Sequence, residues 1–247
     1  MNPAGSKATG RAGTDDAPGF FGKLPTLGDF VNRRLPRQFL EPWDRWLQQV
    51  LAESRGQLGD AWLDAYLVSP LWRFVLSPGI AGRNAWAGVM IPSVDRVGRY
   101  FPLTLARVVP ANADCFRLLC AHDWFGQMED LALSTLEDDF DLQRFDAGLL
   151  RLPPPPVQLQ AGAGIDGGHA DTWQLEASEA ALPSAASRLL RHALEDAFLS
   201  YSLWWSAGSE HVSASLLTCQ GLPAPAAYMA MLGGDWSAGG WTRLGSA

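Results

Sequence analysis

The chain has 247 residues, a hydrophobic fraction of 47% against 18% charged, and a net charge of −7. That length can bury roughly three quarters of the unfolded surface in one or two domains, and no apolar run approaches the ~20 residues needed to cross a bilayer. The acidic balance disfavours nucleic acid and anionic membrane as general partners, because both call for a basic footprint. Three cysteines, Cys115, Cys120 and Cys219, are an odd number and suggest a reducing compartment rather than a disulfide framework.

Met1 to Pro18 lacks the apolar stretch of a signal peptide and reads as a disordered leader on a cytoplasmic protein. Phe20 to Leu24 reads as a short strand stopped by Pro25, followed by a turn at Gly28-Asp29-Phe30. From Pro42, the residues Trp43, Trp46, Leu47, Val50 and Leu51 recur at helical spacing, with Gly56 as the expected stop. A second helical piece covers Asp60 to Leu67, and Trp72 to Leu76 alternates as a strand.

Two β-rich runs follow, Ala85 to Ile91 and Tyr100 to Val109, separated by the charged, glycine-containing stretch Ser93 to Pro102. This predicts a hairpin whose tip displays Asp95, Arg96 and Arg99, and loops held by a rigid sheet are where binding function concentrates. Phe116 to Leu136 reads as one helix or a kinked pair, with Phe125, Met128, Leu131, Ala132 and Leu136 on one stripe. An acidic run, Glu137-Asp138-Asp139, comes next and reads as a solvated face.

The prolines Pro153 to Pro156 and the glycine-rich Gly162 to Gly168 make residues 151–171 a linker. It separates an N-terminal domain over 19–150 from a C-terminal subregion over 172–236, with 237–247 as a tail. The later part contains a strand at Thr172 to Glu176, a helix with Leu190, Leu194, Phe198 and Tyr201 in register, strands at Ser202 to Ser206 and Ala214 to Cys219, and a helix near Ala224 to Leu232. Strands joined by hairpins and interleaved with helices predict an α/β fold of the α+β kind. Its central, mostly antiparallel sheet is flanked by helices, and the smaller C-terminal α/β subregion packs on the first domain or completes its sheet.

The sites with a chemical reading are few. Gly162-Ala-Gly164-Ile-Asp-Gly167 has the glycine spacing of a dinucleotide loop, but it follows prolines and opens no capped helix. Cys115, Cys120 and His122 are close in sequence, yet five residues along a helix turn through about 140° and point the sulfurs apart. No G-x-S-x-G elbow selects a nucleophile among the serines. No catalytic set, cofactor site or metal site emerges, and the chain reads as a binding protein rather than an enzyme. Two basic spots remain, Arg33-Arg34 beyond Asp29 and Arg96 with Arg99 on the tip. They pair locally with Asp29 or Asp95, or they offer guanidinium forks to an acidic or phosphorylated partner. The candidate contact set is therefore Asp29, Arg33, Arg34, Asp95, Arg96 and Arg99.

Several groups of residues together resemble a known family. Gly19-Phe-Phe-Gly-Lys-Leu-Pro25 with Gly28-Asp29-Phe30, Pro42-Trp-Asp-Arg-Trp46, Ala61-Trp-Leu-Asp-Ala-Tyr66, Pro70-Leu-Trp-Arg-Phe74 and Ser93 to Pro102 are similar to the TagF (ImpM) family of type VI secretion-associated proteins. Ser202-Leu-Trp-Trp205, Gly221-Leu-Pro223 and Gly234-Asp-Trp236 extend the resemblance to nearly the whole chain. It implies an α/β fold with a mostly antiparallel sheet. It also implies a cytoplasmic accessory protein that represses the secretion machine after translation, by binding a forkhead-associated (FHA) domain scaffold within a threonine phosphorylation pathway. Some relatives carry a fused PP2C-type phosphatase; the stretch after Trp236 is too short for one, so a separate protein would supply that step. The family brings no catalytic residues to carry over. A structural subunit of the secretion baseplate, or an uncharacterised hydrolase, are the alternatives.

Overall fold

The computed structural model describes residues 17–159 and 178–244. The GxGxxG segment, the strand expected at Thr172 to Glu176, and most of the leader and linker lie outside the described residues.

Seven strands form one antiparallel sheet: β1 Gly19–Gly22, β2 Val31–Arg33, β3 Trp72–Leu76, β4 Ala85–Ile91, β5 Leu103–Val109, β6 Tyr201–Ser206 and β7 Ser215–Gln220. Their order across the sheet is β2-β1-β5-β4-β3-β6-β7. Six α-helices are present among the described residues: α1 Arg37–Leu58, α2 Trp62–Leu67, α3 His122–Ser134, α4 Leu142–Arg151, α5 Leu182–Ala197 and α6 Pro225–Gly233. None of them is long and apolar enough to cross a membrane.

The α+β expectation holds, and the C-terminal strands lie in the same sheet as the N-terminal ones. β6 pairs with β3, setting Phe74 opposite Trp204 and Val75 opposite Leu203.

Helices cover both faces, so β4 at the centre is buried along its whole length. The period-2 geometry of strands sends Ala85, Ala87, Val89 and Ile91 to one core, under Trp124, Phe125 and Met128 of α3 and Phe145 and Leu149 of α4. Trp86 and Met90 go to the other core, which α1, α2 and α6 roof with Phe39, Trp43, Trp46, Trp62, Tyr66, Tyr228 and Met231. Seven tryptophans among the described residues are buried, and Trp43, Phe74 and Trp204 pack against one another in this second core. The indole N–H groups find acceptors: Trp43 donates to Thr104 Oγ1 at 2.9 Å and Trp46 to the carbonyl of Pro223 at 2.7 Å.

Several expected boundaries move. The first helix starts at Arg37 rather than Pro42 and ends at Leu58, with Gly59 rather than Gly56 as its stop. Pro42 is tolerated inside it at the cost of one backbone bond, because Phe39 adds a buried residue to the apolar stripe. The helix or kinked pair expected over Phe116 to Leu136 is a 3-10 turn, Arg117–Cys120, followed by α3. Tyr201, expected on the helix through Leu190, opens β6 instead. Leu136 is half exposed rather than on the buried stripe. Helix α4 was not expected; it begins where Asp141 caps it, accepting the backbone N–H of Arg144 at 2.6 Å. The second run of the hairpin starts at Leu103, not Tyr100, and Tyr100 makes only an isolated bridge to Val94.

Candidate functional site

Strand β1 ends at Gly22, and the chain then turns through Lys23 to Phe30 along the base of the β4–β5 connection. The tip of that connection is not free. Asp95 N–H donates to the carbonyl of Arg99 at 3.0 Å and Gly98 N–H to that of Asp95 at 3.0 Å, closing a turn that uses Gly98 at a φ of 85°. Arg96 N–H donates to the carbonyl of Leu27 at 2.9 Å, Ser93 Oγ to that of Lys23 at 2.8 Å, and Tyr66 Oη to that of Ser93 at 2.9 Å. The tip is folded back onto the β1 turn and helix α2.

Asp95 holds this arrangement, and its expected display on the surface is corrected by the structure. Its side chain is fully buried; Oδ2 accepts from Lys23 Nζ at 2.8 Å and Arg99 Nε at 2.7 Å, and Oδ1 from the N–H groups of Val97 and Arg99. Burial alone would raise its pKa, but the Lys23 ammonium, the Arg99 backbone N–H, the Arg99 guanidinium and the Val97 N–H together hold it well below the usual carboxylate range. A charged residue in a turn can be solvated or can organise the turn, and here the number of donors decides for the second.

The other candidates separate. Arg99 remains half exposed, its Nη2 donating to the carbonyl of Gly28. Arg96 is exposed. Asp29 is also exposed and accepts only the backbone N–H of Phe30, so it pairs with neither basic spot. Arg33 and Arg34 both reach Asp146 on α4, at 2.6 Å each, and Arg34 adopts a φ of 61° to do so. These two arginines join the sheet edge to a helix and lie apart from the tip. Cys115 is buried and Cys120 exposed. The described residues contain no group of three or more His, Cys, Asp or Glu placed to hold a metal.

Beside the tip lies an open groove of about 740 Å³, lined by Lys23, Phe30, Arg55, Trp62, Arg99 and Tyr100 among others. Phe30, 46% exposed, stacks on Phe21 and sits edge-on to Phe101. Arg55, near the end of α1, lies 4.1 Å over the Trp62 ring and donates from Nη2 to the carbonyl of Tyr100 at 3.2 Å. Sequence reasoning missed Phe30, Arg55 and Trp62 as groove residues. The available signal was their membership of, or closeness to, the residue groups Gly28 to Phe30 and Ala61 to Tyr66, since the turns bring these groups to one place.

Residues 19–152 match the family described as TagF N-terminal domain, type VI secretion system-associated. The chain belongs to that family. The crystal structure of PA0076 from Pseudomonas aeruginosa PAO1, at 2.05 Å resolution, is similar with a TM-score of 0.78 and 43% identity, covering 89% of this chain and 95% of that one. Among curated proteins, none matches this chain.

Proposed function

We propose that this type VI secretion system-associated protein is a cytoplasmic, post-translational negative regulator that binds an FHA-domain scaffold protein, using the tip and the groove beside it. The observation that supports this reading is spatial. The groups Gly19 to Pro25, Gly28 to Phe30, Ala61 to Tyr66 and Ser93 to Pro102 are distant in sequence but contribute to one surface, where the groove is open and Arg96 and Phe30 face solvent. Its charged groups are better suited to contact than to proton transfer. Asp95 stays ionised far below neutral pH, a poor state for a general acid or base working near pH 7.

The family resemblance supplies the repressive role, the link to threonine phosphorylation and the FHA scaffold as partner. The test is a pull-down with the cognate scaffold, comparing the native protein with Arg96→Glu and with Arg96→Glu combined with Arg99→Glu. The expected result is at least ten-fold weaker capture at an unchanged unfolding temperature for Arg96→Glu, which leaves the bonds to Asp95 intact. Undiminished capture would remove the tip as the contact surface. Stoichiometric co-purification with the assembled secretion machine would make the protein a structural subunit instead.

A further inference from the structure

We infer that the groove beside the tip docks an acidic segment of a partner protein, which sets an apolar side chain against Phe30 and Tyr100 and places carboxylates on Arg55 and Arg99. The inference deepens the binding role proposed above and rests on it.

Charge is the first argument. The whole chain carries −7, yet this groove is locally positive. The buried Asp95 carboxylate meets two cations, Lys23 and Arg99, at 2.8 and 2.7 Å, leaving one positive charge in excess. Arg55 adds another and Asp60, on the rim, returns one. Exposed Arg96 on the tip offsets the exposed Asp29 beside Phe30, so the excess of one positive charge stands. An anion is therefore the complementary occupant.

Preorganisation is the second. Arg55 is held by the Trp62 ring and the carbonyl of Tyr100. Arg99 is held by Asp95 and the carbonyl of Gly28. These bonds use Nη2 of Arg55 and Nε and Nη2 of Arg99, so each guanidinium is fixed in place while its Nη1 remains available. A guanidinium already immobilised loses little further freedom on binding, which strengthens a charge-assisted hydrogen bond from Nη1 to a carboxylate.

The separate anchoring of the two arginines favours a peptide over a single anion. The two arginines come from different elements, α1 and the tip, and are secured independently. The groove also offers aromatic surface from half-exposed Phe30 and partly exposed Tyr100, backed by the buried rings of Trp62 and Phe101. Carboxylates spaced along a chain around an apolar anchor satisfy both features. A lone phosphate would use the cations and leave the rings unoccupied.

The test uses the full chain and a fluorescein-labelled nonapeptide of alternating glutamate and leucine around a central phenylalanine, followed by fluorescence anisotropy. A second peptide replaces each glutamate with lysine, and a third replaces the glutamates with serine and one phosphothreonine. The acidic peptide should bind at least ten-fold tighter than the lysine peptide, weaken with added salt, and lose at least ten-fold in affinity with Arg55→Glu and with Phe30→Ser. Thermal unfolding identifies a variant that fails to fold; if Phe30→Ser does, Phe30→Leu takes its place and should retain binding. Equal binding of the acidic and lysine peptides, or indifference to Arg55→Glu, would overturn the inference. Tighter binding of the phosphothreonine peptide would overturn the choice of carboxylates. A tip-dependent scaffold pull-down with no acidic-peptide binding would discard this chemistry and keep the regulatory role. Acidic-peptide binding with a tip-independent pull-down would keep the groove and discard the scaffold as its occupant.

Discussion

Lys23 Nζ lies 2.8 Å from Asp95 Oδ2, with the two side chains only 5% and 0% exposed. The pair joins the end of β1 to the β4–β5 tip across 72 positions of sequence. Breaking a buried pair by removing one partner leaves the other without compensation. Lys23→Met is expected to lower the unfolding midpoint by at least about 5 °C and to speed amide exchange at Val97 and Arg99, whose N–H groups donate to Asp95. Circular dichroism and hydrogen exchange would measure both, and an unaltered tip would show that Arg99 alone is sufficient.

The same carboxylate gives a pH dependence with a defined sign. Its folded pKa lies well below the unfolded value of about 3.9. Its contribution to stability is therefore complete above that value and declines as pH falls from about 4 toward the lower folded pKa. Chemical denaturation at stepped pH should show Asp95→Asn flattening the acid limb between about pH 4 and pH 2 relative to the native protein. Parallel acid limbs would count against the buried pair.

In the aromatic core, Thr104 is buried and accepts the indole N–H of Trp43 at 2.9 Å. Thr104→Val keeps the shape but orphans that donor. The expected loss is about 1–3 kcal/mol in urea unfolding with an unchanged m-value. A neutral result would mean that the indole finds another acceptor.

Glycine at position 88 is required by close approach rather than by turn geometry. A Cβ there would collide with the carbonyl oxygen of Leu105 and lie 2.7 Å from Phe74 Cζ. Gly88→Ala should cost about 3 kcal/mol or more through overpacking at the sheet centre. Gly98→Ala meets no atom within 4 Å but must hold a φ of 85°, and should cost only about 1–2 kcal/mol. Reversed magnitudes would contradict the register of β4 on β5.

The cysteines should differ in reactivity. Cys120 is exposed, whereas burial pushes the Cys115 thiol up to about 12 and also raises Cys219. At pH 8, an aromatic disulfide reagent should modify Cys120 first, Cys219 slowly, and Cys115 only on unfolding. Mass spectrometry of timed samples would establish the order.

Where hydrophobic periodicity was strong, the sequence was readable. Trp72 to Leu76 alternates and forms β3 with those bounds, and Ala85 to Ile91 is β4. Helix α4 was missed although Phe145 and Leu149 are spaced by four, because the exposed acidic run before it suggested a loop. The three-residue β2 carries too little pattern to be seen alone. For the candidate site, composition showed which charges were present but not how they pair. Asp95 becomes an internal organiser only when Lys23 arrives from β1. Arg33 and Arg34 are diverted by Asp146, a partner more than a hundred positions away that local spacing cannot reveal.

The pairing of β3 with β6 bears on how the chain matures during synthesis. Residues 19–152, the stretch matched to the family domain, leave the ribosome before Trp204 can settle against Trp43 and Phe74. Until residue 206 has emerged, β3 is an open edge beside an unfilled aromatic cavity, and Trp46 waits for the carbonyl of Pro223. The nascent protein must therefore be shielded from edge-to-edge association through the translation of some fifty further residues, which makes completion of its sheet one of the last events in its biogenesis.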